Sequence, residues 1–213
     1  MKRPYIIINC AMSADGKIAS PSGKQLKISC EEDIKRMYEL RNESDAVLVG
    51  INTVLSDDPK LTVKDKYVKN PKHPIRIVLD TYCKTPTDAL VVNNISKTLI
   101  ITSEKCNKKY GENVEVILCD KDDDGFINLE KLMAILENKG INKLMVEGGG
   151  TVIWNFLKSG LADDFYIYVG SIIIGGSNTP TISGKVDDKN IKLKLVKTKN
   201  VGDGILLHYR LIK

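Results

Sequence analysis

The sequence predicts an α/β fold, a single domain over residues 1–213 in which helices flank a central mixed, mostly parallel sheet that ends in an antiparallel hairpin. Three observations predict it. Short runs of apolar, β-branched residues recur along the chain, as expected for strands covered on both faces. Helical patterns lie between several of these runs. The last quarter of the chain instead contains two strand-like runs joined by a glycine-containing turn.

Seven apolar runs are the predicted strands that precede the hairpin. Most of them are apolar throughout rather than alternating, which is typical of strands buried between two layers. In the hairpin, residues 193–201 and 205–212 are the predicted strands, and Gly202-Asp203-Gly204 is the turn. The seven earlier runs are residues 5–10, 46–49, 75–79, 98–102, 114–118, 144–146 and 165–174.

Two helices carry the clearest start signals. Ser29 and Glu32 have the spacing of a capping box, and apolar residues follow them at intervals of three and four. Asn128 precedes a second periodic stretch of this kind. Gly140 is expected to close that helix, because glycine readily adopts the left-handed conformation that ends helices.

The composition is that of an ordinary soluble protein, with 42% hydrophobic and 28% charged residues. The net charge of +5 comes from scattered basic residues and not from a basic stripe with aromatics, so nucleic acid is not an expected partner. The charge weakly favours a small anionic ligand. A modest positive charge is equally compatible with a protein that has no anionic partner. No stretch approaches a membrane span, and we expect a cytoplasmic protein that binds no membrane.

The cysteines predict neither a disulfide framework nor a metal site. They are five in number, widely spaced, and form no Cys-x-x-Cys pair, so we expect reduced thiols. Only two histidines accompany them, and no zinc-ligand spacing occurs, so no metal cofactor is expected. The cysteines are Cys10, Cys30, Cys83, Cys106 and Cys119.

The most informative segment is the turn that follows the apolar run 144–146. Three glycines there separate a predicted strand from a helix-compatible stretch, which leaves backbone N–H groups uncovered where the helix dipole is positive. Such a turn suits a pyrophosphate, although a tight turn that binds nothing is an equal alternative for this segment alone. The segment reads Glu147-Gly148-Gly149-Gly150-Thr151.

A second glycine-bearing strand end lies earlier in the chain. The run 46–49 ends at Gly50, and the short helix behind it offers Thr53 as a phosphate or ribose contact. Two such strand ends suit a ligand whose phosphates and sugars extend over a long span, as in a dinucleotide. Neither is a Rossmann fingerprint, because no Gly-x-Gly-x-x-Gly follows the first strand, and no phosphate-loop lysine follows the glycines.

Four segments together resemble the reductase family of riboflavin biosynthesis. The resemblance covers nearly the whole chain in matching order. That family includes the C-terminal half of a bacterial bifunctional deaminase-reductase and a stand-alone archaeal and fungal enzyme. The zinc deaminase signature is missing from this sequence, so the chain resembles the stand-alone form. The segments are residues 12–19 (Met-Ser-Ala-Asp-Gly-Lys-Ile-Ala), 45–50, 53–63 (beginning Thr-Val-Leu-Ser-Asp-Asp-Pro) and 146–150 (Val-Glu-Gly-Gly-Gly).

The resemblance implies a dihydrofolate-reductase-like α/β fold, an NADPH cofactor and a homodimer. It also implies reduction of a ribosylaminopyrimidine 5′-phosphate to its ribitylamino product. Stand-alone members act before deamination, on 2,5-diamino-6-ribosylamino-4(3H)-pyrimidinone 5′-phosphate. Use of NADH in place of NADPH is left open. The alternatives are a reductase of the deaminated 5-amino-6-(5-phosphoribosylamino)uracil, a dihydrofolate reductase, and a non-catalytic NADPH-binding module.

The resemblance also assigns site residues. Thr81 matches a position near the adenosine 2′-phosphate, and Met12 a main-chain contact near the nicotinamide. The other matching cofactor positions are Thr53, Asp57, Gly148, Gly149, Gly150 and Thr151. The matching substrate positions are Asn9, Gln25, Arg41, Leu61, Lys64 and Glu147.

Physical chemistry gives three of the substrate residues specific roles. Arg41 and Lys64 are cations suited to the 5′-phosphate, whereas Glu147 can accept hydrogen bonds from an amino-substituted ring or from sugar hydroxyls. Glu147 and Lys64 are also the candidate catalytic residues, as aids to proton movement, with bound water as the alternative. The chain departs from the bacterial pattern at Asn9, where those enzymes have lysine, and at Lys27, where they have tryptophan.

Overall fold

The computed structural model describes residues 3–23, 26–182 and 190–212. Over these residues the chain forms nine strands, four α-helices and one short 3₁₀ helix, which comprises Leu90–Val92. No helix in these ranges has the length and apolar character needed to cross a membrane. In chain order the elements are β1 (Tyr5–Ser13), α1 (Glu31–Asn42), β2 (Ala46–Gly50), α2 (Ile51–Asp57), β3 (Ile75–Leu79), β4 (Thr98–Thr102), β5 (Val114–Leu118), α3 (Leu129–Asn138), β6 (Lys143–Gly148), α4 (Gly150–Lys158), β7 (Asp164–Gly170), β8 (Leu193–Val201) and β9 (Gly204–Leu211).

The nine strands form one sheet in the order β5-β4-β3-β2-β6-β1-β7-β9-β8. The first seven in that order run parallel to one another. Strand β9 pairs antiparallel with β7, and β8 pairs antiparallel with β9. The structure therefore confirms a mixed, mostly parallel sheet that ends in an antiparallel hairpin.

Neighbouring residues of the central strands enter two separate cores, because successive side chains of a strand point to opposite faces of the sheet. On β2, Leu48 belongs to the core that also contains Phe156 of α4. Val47 belongs to the other core, against which Met37 and Leu40 of α1 pack. Burial on both faces explains why these strands are apolar throughout.

The two predicted helix starts differ in outcome. Asn128 caps α3, since its side chain accepts a hydrogen bond from the backbone N–H of Lys131 at 3.0 Å, and Gly140 follows the helix with φ of +71°. The predicted capping box of α1 is wrong. Cys30 is the N-cap residue and makes no side-chain cap, while the Ser29 hydroxyl donates to the Asp33 carboxylate at 2.6 Å. Because the helix begins at Glu31, Ser29 lies one residue before the N-cap position, and its hydroxyl is free to donate to a carboxylate.

The predicted strand at residues 165–174 is too long, because β7 ends at Gly170. Beyond it the chain turns toward the loop that follows β1. There the backbone N–H groups of Ile174 and Gly175 both donate to the carboxylate of Asp15. These bonds replace the strand pairing that the apolar sequence predicts.

The expectation of five reduced thiols is also wrong. Cys83 and Cys106 form a disulfide, with their Cα atoms 5.6 Å apart, whereas Cys10, Cys30 and Cys119 are free. The pair lies on the loops that follow β3 and β4, which are parallel neighbours. Carboxyl ends of such strands meet at one edge of a sheet, so residues 23 positions apart come together without any spacing motif.

Candidate active site

An elongated cleft of about 950 Å³ lies beyond the carboxyl ends of the central strands. Ala11 of β1, Gly50 of β2, Leu79 of β3 and Gly148 of β6 all line it. Open α/β sheets bind their ligands at this end of the strands, where the strand order reverses. In this sheet β6 comes between β2 and β1, so the cleft occupies the expected place.

The two glycine-bearing strand ends meet across this cleft. A Cβ atom on Gly149 would lie 3.4 Å from the Thr53 hydroxyl oxygen, and one on Gly148 would lie 3.6 Å from it. Gly149 also has φ of +76°, which disfavours any other residue. A Cβ on Gly150 would overlap the backbone carbonyl of Thr181. The turn after β6 is therefore close-packed, and it leads into α4 without a side-chain cap.

Seven of the eight predicted cofactor residues line this cleft. Met12 does not. It lies on β1 opposite Val169 of β7, and its side chain packs against the core. The seven are Thr53, Asp57, Thr81, Gly148, Gly149, Gly150 and Thr151.

A rigid loop carries Thr81 at one end of the cleft. The buried carboxylate of Asp80 accepts hydrogen bonds from the backbone N–H groups of Lys84 and Thr85, at 2.8 and 2.6 Å, and from the Thr85 hydroxyl. Tyr82 and Lys84 line the cleft beside Thr81, and the Lys84 ammonium lies 5.5 Å from the centre of the Tyr82 ring. Neither residue belongs to a motif in the sequence, and only their position after a buried strand distinguishes them, so neither was predicted.

Two predicted substrate residues bind each other. Arg41 donates to Glu147 through Nε at 2.6 Å and Nη2 at 2.5 Å, and its Nη1 donates to the backbone carbonyl of Thr62 at 3.0 Å. Each of the paired side chains is 11% exposed. Burial lowers the pKa of Arg41, but the charge and hydrogen bonds of Glu147 outweigh burial and leave that pKa raised.

Lys64 lies beside this pair. Its ammonium is 5.5 Å from the centre of the Tyr38 ring, and the Arg41 guanidinium is 5.2 Å from the same centre. Tyr67 stacks on Tyr38 at 4.8 Å. The structure thus brings the two predicted phosphate-binding cations together around one aromatic ring. Lys64 is exposed and does not line the cleft, whereas Leu61 is buried and does.

A smaller pocket of about 400 Å³ opens from the cleft at Arg41 and Glu147. Asn9 lines it, and its side-chain oxygen accepts a hydrogen bond from Arg36 at 2.6 Å. Asp33 of α1 also lines this pocket. It was not predicted from the sequence, because acidic residues are common in the first turn of a helix. Gln25 lies outside the described residues.

The mixed sheet, its terminal hairpin and the two facing glycine-bearing strand ends define a dihydrofolate-reductase-like α/β protein. A family model described as the RibD C-terminal domain matches residues 4–207. The chain belongs to that family.

Two curated relatives match nearly the whole chain. The protein from Archaeoglobus fulgidus is 40% identical over 218 residues, which cover 98% of this chain and 98% of the relative. The protein from Methanothermobacter thermautotrophicus is 36% identical over 215 residues, which cover 97% of this chain and 98% of the relative. Both are named 2,5-diamino-6-ribosylamino-4(3H)-pyrimidinone 5′-phosphate reductase.

Two solved structures share the fold. A deaminase/5-amino-6-(5-phosphoribosylamino)uracil reductase from Thermotoga maritima is 28% identical with a TM-score of 0.86, and the match covers 99% of this chain but 57% of that one. A riboflavin biosynthesis reductase from Saccharomyces cerevisiae is 25% identical with a TM-score of 0.82, over 100% of this chain and 91% of that one. These likenesses confirm the predicted fold class.

Proposed function

We propose that this protein reduces 2,5-diamino-6-ribosylamino-4(3H)-pyrimidinone 5′-phosphate to its ribitylamino product in riboflavin biosynthesis, with NADPH as reductant. The activity is assigned to one domain, residues 1–213. The observation that carries the proposal is the contact of Thr53 with the glycine turn, which sets two strand ends against one elongated cleft. The names of the archaeal relatives, 40% and 36% identical over nearly their whole length, support it.

The residues around the cleft fit a dinucleotide. Glycine is required at both positions of the turn, because Gly149 has φ of +76° and a Cβ on Gly150 would overlap the Thr181 carbonyl. The first turn of α4, which begins at Gly150, presents backbone N–H groups to a pyrophosphate. Thr53 and Asp57 stand across the cleft for its riboses. The main chain at Met12 is the proposed nicotinamide contact, next to Ala11, which lines the cleft. When bound, NADPH supplies the hydride for the reaction.

The loop after β3 supports NADPH over NADH. Lys84 places a cation at the end of the cleft where Thr81 offers a hydroxyl, and Tyr82 offers an aromatic face. A cation and a hydroxyl suit the 2′-phosphate that distinguishes the two dinucleotides. Because hydrogen bonds to Asp80 already order the backbone of this loop, the loop loses little conformational entropy when the ligand binds.

At the other end of the cleft, Arg41 and Lys64 are the proposed ligands of the substrate 5′-phosphate. A guanidinium has five N–H donors, of which Glu147 and the Thr62 carbonyl take three. The other two have no partner among residues 3–23, 26–182 and 190–212, so they can serve the phosphate. The bidentate pairing also fixes the orientation of the Glu147 carboxylate. Its remaining lone pairs can accept hydrogen bonds from hydroxyls of the sugar chain.

The chemistry proceeds on the open form of the sugar. Opening the ribose ring at the glycosylamine carbon gives an imine. Its carbon then takes a hydride and its nitrogen a proton, which gives the secondary amine of the product. The protein's part is to hold the imine carbon in position and to exclude water, and Lys64, Glu147 or bound water supplies the proton.

The test is to follow the loss of NADPH absorbance with the diamino pyrimidine, the deaminated pyrimidine and dihydrofolate side by side. We expect consumption with the diamino compound. Consumption with dihydrofolate alone would identify a dihydrofolate reductase, and consumption with the deaminated compound alone would identify the later enzyme. NADPH binding without any consumption would identify a non-catalytic module.

We also infer that the protein is a homodimer. Apolar side chains remain exposed on the terminal hairpin and on the segment that follows β7. They are Ile172, Ile173, Leu195, Val196 and Ile212. Exposed apolar residues on an outer hairpin and on the segment beside its turn are typical of an interface with a second copy.

A further inference from the structure

We infer that Asp33 and Arg36 of α1 complete, with Asn9, the surface that recognises the pyrimidine ring, and that this surface selects the ring bearing a 2-amino group. This inference rests on the proposed function and names residues that determine its substrate specificity. The three side chains form one connected network at the smaller pocket, which opens onto the Arg41–Glu147 pair.

Asn9 and Asp33 are nearly closed to solvent, whereas Arg36 is partly exposed. The Asp33 side chain is 3% exposed, and Asn9 is 7% exposed. Arg36 donates to Asp33 Oδ1 through Nε at 2.8 Å and through Nη2 at 2.7 Å. The same Nη2 donates to Asn9 Oδ1 at 2.6 Å. Arg36 is therefore a positioning residue, which ties the two pocket-lining side chains to each other.

Arg36 fixes the orientation of the Asn9 amide. Arginine can only donate hydrogen bonds, so the amide oxygen must face it and the amide NH₂ must point the other way. Among the residues that the structure describes, none accepts a hydrogen bond from this NH₂ group. Asn9 thus presents a donor to whatever occupies the pocket.

Asp33 presents an acceptor beside that donor. A carboxylate offers about four lone-pair positions. Arg36 takes the two on Oδ1, and the Ser29 hydroxyl takes one on Oδ2 at 2.6 Å. Within the described part of the chain no further donor reaches Oδ2, so one of its lone pairs is left for a ligand. The pocket therefore combines one amide donor with one carboxylate acceptor.

This combination distinguishes the two pyrimidines. In the diamino ring, the unprotonated N1 is an acceptor and the adjacent 2-amino group is a donor, which complements Asn9 and Asp33. In the deaminated ring, N1 carries hydrogen and C2 carries a carbonyl, so both polarities are reversed. Two buried polar groups would then face like partners, and sites built for hydrogen bonding strongly reject such analogues.

The experiment measures kcat and KM of the wild type and two variants with both pyrimidines. We expect the wild type to prefer the diamino substrate by about 100-fold in kcat/KM. Asn9→Asp keeps the acceptor for Arg36 but removes the donor, and Asp33→Asn replaces the acceptor with an amide. Each is expected to raise KM for the diamino substrate about tenfold or more, with a smaller effect on kcat, and to reduce the preference.

Lys35→Ala, an exposed change on the same helix, is the control and should leave the preference unchanged. NADPH binding by fluorescence titration checks that each variant is folded. Because Asp33 is buried and its variant is at risk of misfolding, Asn9→Asp alone suffices as a test. A wild type that reduces the diamino pyrimidine, with unchanged preference in folded Asn9→Asp, would overturn this inference and leave the proposed function intact. A wild type that reduces neither pyrimidine would overturn both.

Discussion

Gly150 is the cleft residue that tolerates a side chain least. A Cβ there would overlap the carbonyl of Thr181, so the backbone of the turn has to move. We expect Gly150→Ala to raise the Kd for NADPH by about tenfold or more, because overpacking costs about 1–3 kcal/mol. Isothermal titration with NADPH measures the change.

Gly160→Ala is the matched control. Substitution of Gly160 also strains the backbone, because its φ is +68°. A Cβ at this position would meet no atom within 4 Å, so it causes no steric overlap. The control should lower the free energy of unfolding by about 1 kcal/mol through backbone strain and leave the NADPH affinity unchanged. Equal effects of both alanines on that affinity would contradict a specific role for the turn.

Glu147→Gln separates binding from chemistry at the Arg41 pair. Removal of one partner of a largely buried ion pair costs about 3 kcal/mol, so the free energy of unfolding should fall by roughly that amount. We expect KM for the pyrimidine to rise while single-turnover hydride transfer persists, because the enzyme works mainly by orientation. Stopped-flow absorbance at varied pyrimidine concentrations measures the single-turnover rate of hydride transfer and its dependence on substrate, and urea unfolding measures the free energy of unfolding. Intact binding with no hydride transfer would show that Glu147 is itself needed for the chemistry.

At the scale of elements, the loop after β3 is expected to set the choice of dinucleotide. Lys84→Ala should raise KM for NADPH about tenfold and leave KM for NADH unchanged, since the 2′-phosphate is the only difference between them. Lys121→Ala is a suitable control, because Lys121 lies 4.5 Å from the same Tyr82 ring but does not line the cleft. Equal effects of the two substitutions on KM for NADPH would contradict a binding site for the 2′-phosphate beside Lys84.

The loop after β1 gives an expected pH dependence. The Asp15 carboxylate accepts hydrogen bonds from the Ser13 hydroxyl and from the N–H groups of Ile174 and Gly175, and together they lower its pKa to about 2. The unfolded value is about 3.9, so the stabilisation is complete above that pH and is lost as the pH falls toward the folded value.

We therefore expect urea midpoints of the wild type and of Asp15→Asn to converge as the pH falls from about 4 toward 2. Above that range the wild type should be the more stable, by an amount independent of pH. A difference that stays constant down to the lowest pH would mean that the carboxylate charge contributes nothing to the fold.

At the scale of the whole molecule, the sheet was predictable because its central strands are apolar on both faces. Local periodicity fails where distant residues decide the outcome. The strand predicted to reach residue 174 stops at Gly170, since Ile174 bonds to Asp15, which is 159 positions away. The disulfide of Cys83 was equally hidden, because only the folded sheet brings its partner near.

The proposed cofactor residues were easier to place from the sequence than the proposed substrate residues. Thr53 and the glycine turn each lie in a short contiguous motif, and the position of each motif between a strand and a helix follows from the local sequence pattern. The pairing of Arg41 with Glu147 joins residues 106 positions apart, and no local pattern encodes it. Seven of the eight cofactor positions line the cleft, whereas the roles of the substrate positions depend on such long-range partners.

The assembly is expected to be a dimer with twice the chain mass of 23.7 kDa. Leu195→Glu should reduce it to a monomer, since a charge would replace an exposed apolar side chain of the terminal hairpin. Lys194→Ala, at the adjacent position, should leave the mass unchanged. Light scattering at micromolar concentration measures the mass, and a monomeric wild type would refute the dimer.

The hairpin also governs how this sheet can grow. Its outermost strand, β8, carries Lys194, Lys197 and Lys199, and their charges oppose the addition of a tenth strand from another molecule. The strand at the opposite edge, β5, is only five residues long and offers few backbone groups for pairing with another strand. Both edges therefore disfavour the addition of strands from another molecule, and the proposed dimer is expected to form through side chains on a face of the sheet.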